Sequence, residues 1–185
     1  MMGVEFLALL GPQVAFTLAW WVTRNCCRPG SWLHFLDHPN ERSLHVRPTP
    51  RTGGVGVMAG VAAGSLLVIA GGGVGRPVWA AVAGALLLGG LGLLDDRRNV
   101  SARLRLLAQA LVAGGFLALA GPASGWMTGV LFFLGLVWMA NLYNFMDGSD
   151  GLAGGMAVFG FAAFAVAAAL AGQSALSLVC AGIAA

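Results

Sequence analysis

Two clusters of polar side chains stand where an apolar chain can least spare them. Asp95 and Asp96 are adjacent and directly follow an apolar run, and Asn141, Asn144, Asp147 and Asp150 recur every third residue in "NLYNFMDGSDG", residues 141–151. An acidic side chain within a membrane span costs about 2.5–3.5 kcal/mol on insertion scales. Two carboxylates about 5 Å apart add roughly 3 kcal/mol of repulsion at an effective dielectric near 20. A divalent cation or a shared proton relieves such a pair, and magnesium suits the place because it takes carboxylate oxygen together with substrate phosphates. The competing account of Asp95 and Asp96 is a hydrated turn, paired with Arg97 and Arg98. In the second cluster Asn141 and Asn144 are three apart, which lets both project from one side of a last helical turn. Gly148 and Gly151 then allow the backbone to break and approach a ligand closely. Amides and carboxylates together suit a nucleobase, a sugar or a metal, although Asn, Asp and Gly are also ordinary turn formers.

A third polar stretch, "DHPNERSLHVRPTPRTGG" at residues 37–54, carries Arg42, His45, Arg47 and Arg51. Its prolines forbid a continuous helix, and Gly53-Gly54 marks a return to apolar sequence. Guanidinium groups bind phosphate bidentately, and the same groups in a basic loop bind anionic lipid headgroups. Both readings stand on composition alone. His34 and His38 are four apart, but no third ligand set accompanies them, so they read as a solvated pair and not as zinc ligands.

The elements that must position these clusters are helices in a bilayer. Hydrophobic residues make up 58% of the chain and charged residues only 9%, unlike any ordinary soluble domain. A bilayer core takes about 20 apolar residues per helix. Runs of that kind cover residues 4–22, 53–72, 77–94, 104–120, 126–142 and 152–171, and the chain stops within a further run at 174–185. The expectation is an all-α, polytopic transmembrane helical bundle of about six complete helices and a partial seventh. Residues 1–185 then form a single integral membrane domain. The first run lacks a basic start and a clear cleavage site, so it reads as an uncleaved helix and not as a signal peptide. Beta-barrel alternation is absent, and the Gly- and Ala-rich blocks suit closely packed helices.

Charge gives the orientation. All ten basic residues are arginines, and nine follow the first or third run; only Arg76 lies elsewhere. The positive-inside rule places the ends of the odd-numbered helices in the cytoplasm and the N-terminus outside. Six of the seven acids, all but Glu5, fall in the connections after runs one, three and five. One polar site built from three cytoplasmic connections is the simplest account. Transport of ions predicts acids near helix midpoints, whereas these cluster at one end. Cys26, Cys27 and Cys180 make no disulfide framework or zinc signature. The Trp20-Trp21 pair and Trp126 fit membrane interfaces. No nucleic-acid motif is present.

Taken together, "DHPNERSLHVRPTPRTGG", "LLDDRRNVSARLRLLAQ" and "NLYNFMDGSDGLAGG" resemble three successive signatures of the bacterial polyprenyl-phosphate N-acetylhexosaminyl-1-phosphate transferases. Their order, spacing and side of the membrane match as well. The resemblance implies transfer of a sugar-1-phosphate, such as N-acetylglucosamine-1-phosphate, from a UDP-sugar to polyprenyl phosphate. UMP would be released, Mg2+ required and envelope glycan synthesis begun at the cytoplasmic face of the inner membrane. By motif position Asp95 and Asp96 correspond to the family's catalytic aspartate pair, and with Asp147 they would hold the metal. Asn141, Asn144, Asp147 and Asp150 fall in the segment tied to nucleotide or metal binding, and Arg42, His45 and Arg51 would lie near the phosphates. Arg105 stands where many members carry a basic residue after the aspartate pair.

The family continues with further helices, a later GDxGS-type segment and a loop rich in His and Arg. After Asp150 this chain has no Asp, Glu, Arg, Lys or His. The resemblance therefore implies the N-terminal half of a longer transferase fold, with a missing C-terminal portion or a second copy of the chain as a further partner. A truncated, non-catalytic membrane protein that retains the nucleotide- and lipid-phosphate-binding loops is the rival expectation.

Overall fold

The computed structural model describes residues 2–31, 36–37, 49–50, 52–72, 74–98, 100–121, 125–146 and 152–185. Eight helices carry most of them: α1 (Met2–Leu9), α2 (Gly11–Cys26), α3 (Gly53–Ala70), α4 (Arg76–Arg98), α5 (Ala102–Ala120), α6 (Trp126–Met146), α7 (Leu152–Leu170) and α8 (Ser174–Ala184). Two two-residue strands, β1 (Leu36–Asp37) and β2 (Thr49–Pro50), pair antiparallel between α2 and α3, Leu36 with Pro50 and Asp37 with Thr49. Among the described residues five helices, α3 to α7, are long and apolar enough to cross a membrane. The architecture is the expected all-α polytopic membrane bundle.

The first apolar run is not one helix. It breaks at Leu10, where α1 ends and α2 begins. Pro12 lies in the first turn of α2; it has no N–H to give to the previous turn, and its ring crowds the carbonyl four residues back. The chain answers with a tighter turn, in which the Leu10 N–H donates to the Leu7 carbonyl at 3.2 Å. The second correction concerns the aspartate pair. Apolar sequence ends at Leu94, but α4 runs on to Arg98. Asp95 and Asp96 therefore occupy the last turns of a helix, and the connection to α5 is residues 99–101. Likewise α6 continues to Met146, so that Asn141 and Asn144 both belong to the helix.

The chain divides into two compact units, Met1–Val74 with Gly148–Ala185, and Gly75–Asp147. In the first, α2 and α3 run antiparallel in close contact. Gly56, Gly60 and Gly64, spaced four apart on α3, face Thr23, Ala19 and Ala15 of α2. A Cβ added at Gly64 would stand 2.6 Å from the Gly11 carbonyl oxygen and 2.7 Å from the Ala15 Cβ. Lipid tails are as apolar as leucine, so helices in a bilayer associate through such backbone-to-backbone fit. Val68 is wholly buried beside this seam. The Thr23 hydroxyl donates to the Gly53 carbonyl at 3.2 Å and ties the end of α2 to the start of α3. Helix α8 folds back on α7 through Gly172, whose φ of 71° favours glycine, and packs on α2 and α3 as well.

The second unit is the three-helix meander α4–α5–α6, with α5 in contact with both neighbours. Its large side chains face outward: Trp126, Phe132 and Trp138 on α6 are all exposed, as lipid-facing positions are. Ser101 caps α5, its hydroxyl accepting the Leu104 N–H at 3.4 Å. At the far end of α5 the chain turns at Gly121, with φ 101°.

Candidate functional site

The polar ends of the second unit meet across α5. Asp95 sits near the C-terminus of α4, where the helix dipole disfavours a negative charge. Two donors offset that. The Val100 N–H reaches Oδ1 at 2.7 Å, and Arg105 Nη1 reaches Oδ2 at 2.6 Å. The pair is half-buried, with Asp95 20% and Arg105 34% exposed. Its geometry folds the start of α5 back against the end of α4, so that a residue ten positions away supplies the counter-charge.

One face of α5 carries a second polar group. Gln109 is four residues after Arg105 and so projects on the same side. Its Oε1 accepts the Asn141 Nδ2 of α6 at 2.7 Å, and the same Nδ2 donates to the Val137 carbonyl at 2.9 Å. Arg105 thus engages α4 and Gln109 engages α6. Together they bring the second and third sequence signatures to one helix. Beside Gln109 lies a cleft of about 220 Å³ between α4, α5 and α6, lined by Ala80, Gly84, Phe116 and Leu136 among others, with Gln109 as its one polar side chain.

Of the sequence-predicted site residues, Asp95, Asp96, Arg105, Asn141 and Asn144 fall on described helices of this unit. Asp96 is exposed and, like Arg97, has an interaction partner. Arg42, His45, Arg51, Asp147 and Asp150 lie outside the described residues. The first connection is legible only at its ends: the β1–β2 ladder sets Asp37 opposite Thr49, so the segment bearing Arg42 and His45 begins and ends at one place. Thr52, next after Arg51, is buried, and its hydroxyl has no hydrogen-bond partner among the described residues. Among the described residues no three His, Cys, Asp or Glu side chains gather as a metal shell. Asp95 and Asp96 do offer hard oxygen donors of the kind magnesium takes. Gln109 is the functional candidate that sequence reasoning missed. It is the only amide of α5, and its spacing from Arg105 was the available signal.

A half-buried ion pair and a coupled amide pair thus tie together three apolar helices long enough to cross a membrane. Comparison with known proteins gives the class. The model of glycosyl transferase family 4 matches residues 78–185, more than half of the chain, and the chain belongs to that family. It is 34% identical over 147 residues to a probable undecaprenyl-phosphate N-acetylglucosaminyl 1-phosphate transferase of Bacillus subtilis, covering 72% of this chain and 40% of the relative. With the undecaprenyl-phosphate alpha-N-acetylglucosaminyl 1-phosphate transferase of Yersinia pestis it shares 35% over 164 residues, 78% of this chain and 43% of the relative. With the decaprenyl-phosphate N-acetylglucosaminephosphotransferase of Mycobacterium tuberculosis it shares 33% over 174 residues, 81% and 42%. The chain thus spans about two fifths of the length of these curated relatives. No solved structure matches it. With five helices among the described residues long and apolar enough to cross a membrane, and with its membership of this family, the chain is a multi-pass membrane protein.

Proposed function

We propose that this chain takes part in transfer of a sugar-1-phosphate, N-acetylglucosamine-1-phosphate or a related N-acetylhexosamine phosphate, from a UDP-sugar to polyprenyl phosphate with release of UMP. The observation that carries this reading is the convergence on α5. The aspartate signature, through Asp95 and Arg105, and the asparagine signature, through Asn141 and Gln109, are bonded to one face of one helix. Similarity to relatives named for polyprenyl-phosphate N-acetylglucosaminyl 1-phosphate transfer supports it.

Phosphoryl transfer needs little covalent work from the protein; it needs positioning and charge neutralisation. In this reading Arg105 holds the Asp95 carboxylate in place, and the carboxylate pair orients the attacking phosphate of the lipid. Asn141 and Asn144, with Asp147 and Asp150, bind the nucleotide sugar, and Arg42, His45 and Arg51 supply positive charge to its diphosphate. Asp95, Asp96 and Asp147 are the residues that would hold Mg2+, which when bound neutralises charge on the diphosphate as UMP departs. The distribution of arginines supports a cytoplasmic site in the inner membrane with the N-terminus outside. Such a site serves a lipid phosphate at the headgroup plane and a nucleotide sugar arriving from the cytoplasm.

The test is sugar-phosphate transfer by the detergent-purified chain with Mg2+, polyprenyl phosphate and labelled UDP-N-acetylglucosamine, beside an Asp95→Asn, Asp96→Asn control. UMP release that the control abolishes is the expected result. Well-folded protein that binds UDP-sugar but releases no UMP would favour the rival, a non-catalytic protein retaining the binding segments.

A further inference from the structure

We infer that Gln109 is a positioning residue that fixes Asn141 as a hydrogen-bond acceptor for the nucleotide sugar. The inference deepens the proposed function and rests on it for the identity of the ligand, but its structural half stands alone. The Val137 backbone carbonyl can only accept. The group of Asn141 that faces it at 2.9 Å must therefore be the amide nitrogen, Nδ2. That choice forces the next one: Gln109, 2.7 Å from the same nitrogen, must present its oxygen, Oε1. An amide nitrogen carries two hydrogens, and both are now engaged. Asn141, an exposed residue on α6, is left to offer its carbonyl oxygen, Oδ1.

A free asparagine side chain offers either edge by rotating about its last torsion. This one is locked. Rotation of Asn141 alone would set Oδ1 against two oxygens, those of Val137 and Gln109, and lose both bonds; were Gln109 to turn with it, Oδ1 would still face the Val137 carbonyl oxygen. Gln109 is held in turn by its surroundings, since the cleft around it is otherwise apolar, and an amide there is costly unless bonded. The lock selects ligand groups that donate: an imide N–H of a base, or a hydroxyl or acetamido N–H of a sugar. It rejects groups that only accept, phosphate oxygens among them.

The test uses the full chain in detergent, with Gln109→Leu, Gln109→Glu, Asn141→Ala and the Gln109→Leu, Asn141→Ala double variant. Two readouts are taken: the side-chain ¹⁵N amide resonance of Asn141, and calorimetric binding of UMP and of UDP-N-acetylglucosamine. In the wild type both Asn141 amide protons should exchange slowly. Gln109→Leu should abolish that protection for one proton and weaken binding by about 3- to 10-fold, the worth of one oriented hydrogen bond. Gln109→Glu keeps an accepting oxygen and should restore both, which a purely structural role would not. In the Asn141→Ala background Gln109→Leu should have no further effect on binding, since the glutamine acts through the asparagine.

Weakening seen with UMP assigns the donated hydrogen to the nucleotide; weakening seen only with UDP-N-acetylglucosamine assigns it to the sugar. Equal binding by Gln109→Leu and wild type, or full additivity in the double variant, overturns the inference and leaves the proposed function intact. If the wild type binds neither ligand the proposed function fails. The assignment to a nucleotide sugar then falls with it, and the amide resonance still decides whether Gln109 locks Asn141.

Discussion

Asp95 illustrates how little a residue's sequence neighbours say about its partner. Arg97 and Arg98 are close in sequence, yet the cation bonded to Asp95 at 2.6 Å is Arg105, because α5 begins soon after α4 and packs against it. Only family resemblance flagged Arg105; local charge pairing pointed elsewhere. Arg105→Ala should lower stability by about 1 kcal/mol, the upper range for a partly exposed ion pair, seen as a lower thermal midpoint in detergent. UMP release should fall about 10-fold or more with the loss of an oriented charge. Arg105→Lys should recover part of the stability, since it keeps the charge and loses the planar fork. Asp95→Asn should lower the thermal midpoint as well as transfer, because Arg105 loses its anion. A variant that removed transfer at an unchanged midpoint would show that the ion pair contributes nothing to the fold.

Helices were the most legible elements, because hydropathy alone marks them. The runs expected at 104–120, 152–171 and 174–185 end within two residues of α5, α7 and α8. Hydropathy fails where the backbone decides. It cannot see that Pro12 lacks an N–H, so residues 4–22 read as one helix when they form parts of two. Nor can it see that polar residues prolong a helix, as Asp95 to Arg98 prolong α4. The α2–α3 seam gives a sharper expectation. Gly60→Val would drive a side chain into the Ala15 carbonyl and the Ala19 Cβ and should destabilise by about 1–3 kcal/mol or more. Gly90→Ala, on α4 with nothing within 4 Å of the added carbon, should be neutral or stabilising by up to about 1 kcal/mol. Thermal unfolding of the two variants side by side separates a packing seam from generic glycine loss; equal midpoints would refute the seam.

At the scale of the whole molecule the sequence displayed class and family but only part of the site. Three signatures in order pointed to the family, and the family is found. Asp95, Arg105 and Asn141 then appear with named partners, whereas Arg42, His45, Arg51, Asp147 and Asp150 fall outside the described residues. Orientation is a whole-chain property, carried by the arginine distribution. Single cysteines introduced on a background lacking Cys26, Cys27 and Cys180 test it. Ser101→Cys should resist a membrane-impermeant maleimide added to intact cells, and Gly72→Cys and Gly125→Cys should react. The reverse pattern would overturn the proposed orientation and, with it, the proposal of a cytoplasmic site.

Helix α5 also acts as a ruler. The two side chains that reach α4 and α6 are separated by four residues, about 6 Å along the axis at 1.5 Å per residue. That separation is metered by backbone, not by side-chain chemistry. Substitutions between Arg105 and Gln109 leave the gauge unchanged. Inserting one residue there turns Gln109 by about 100°, away from Asn141, while every side chain involved survives.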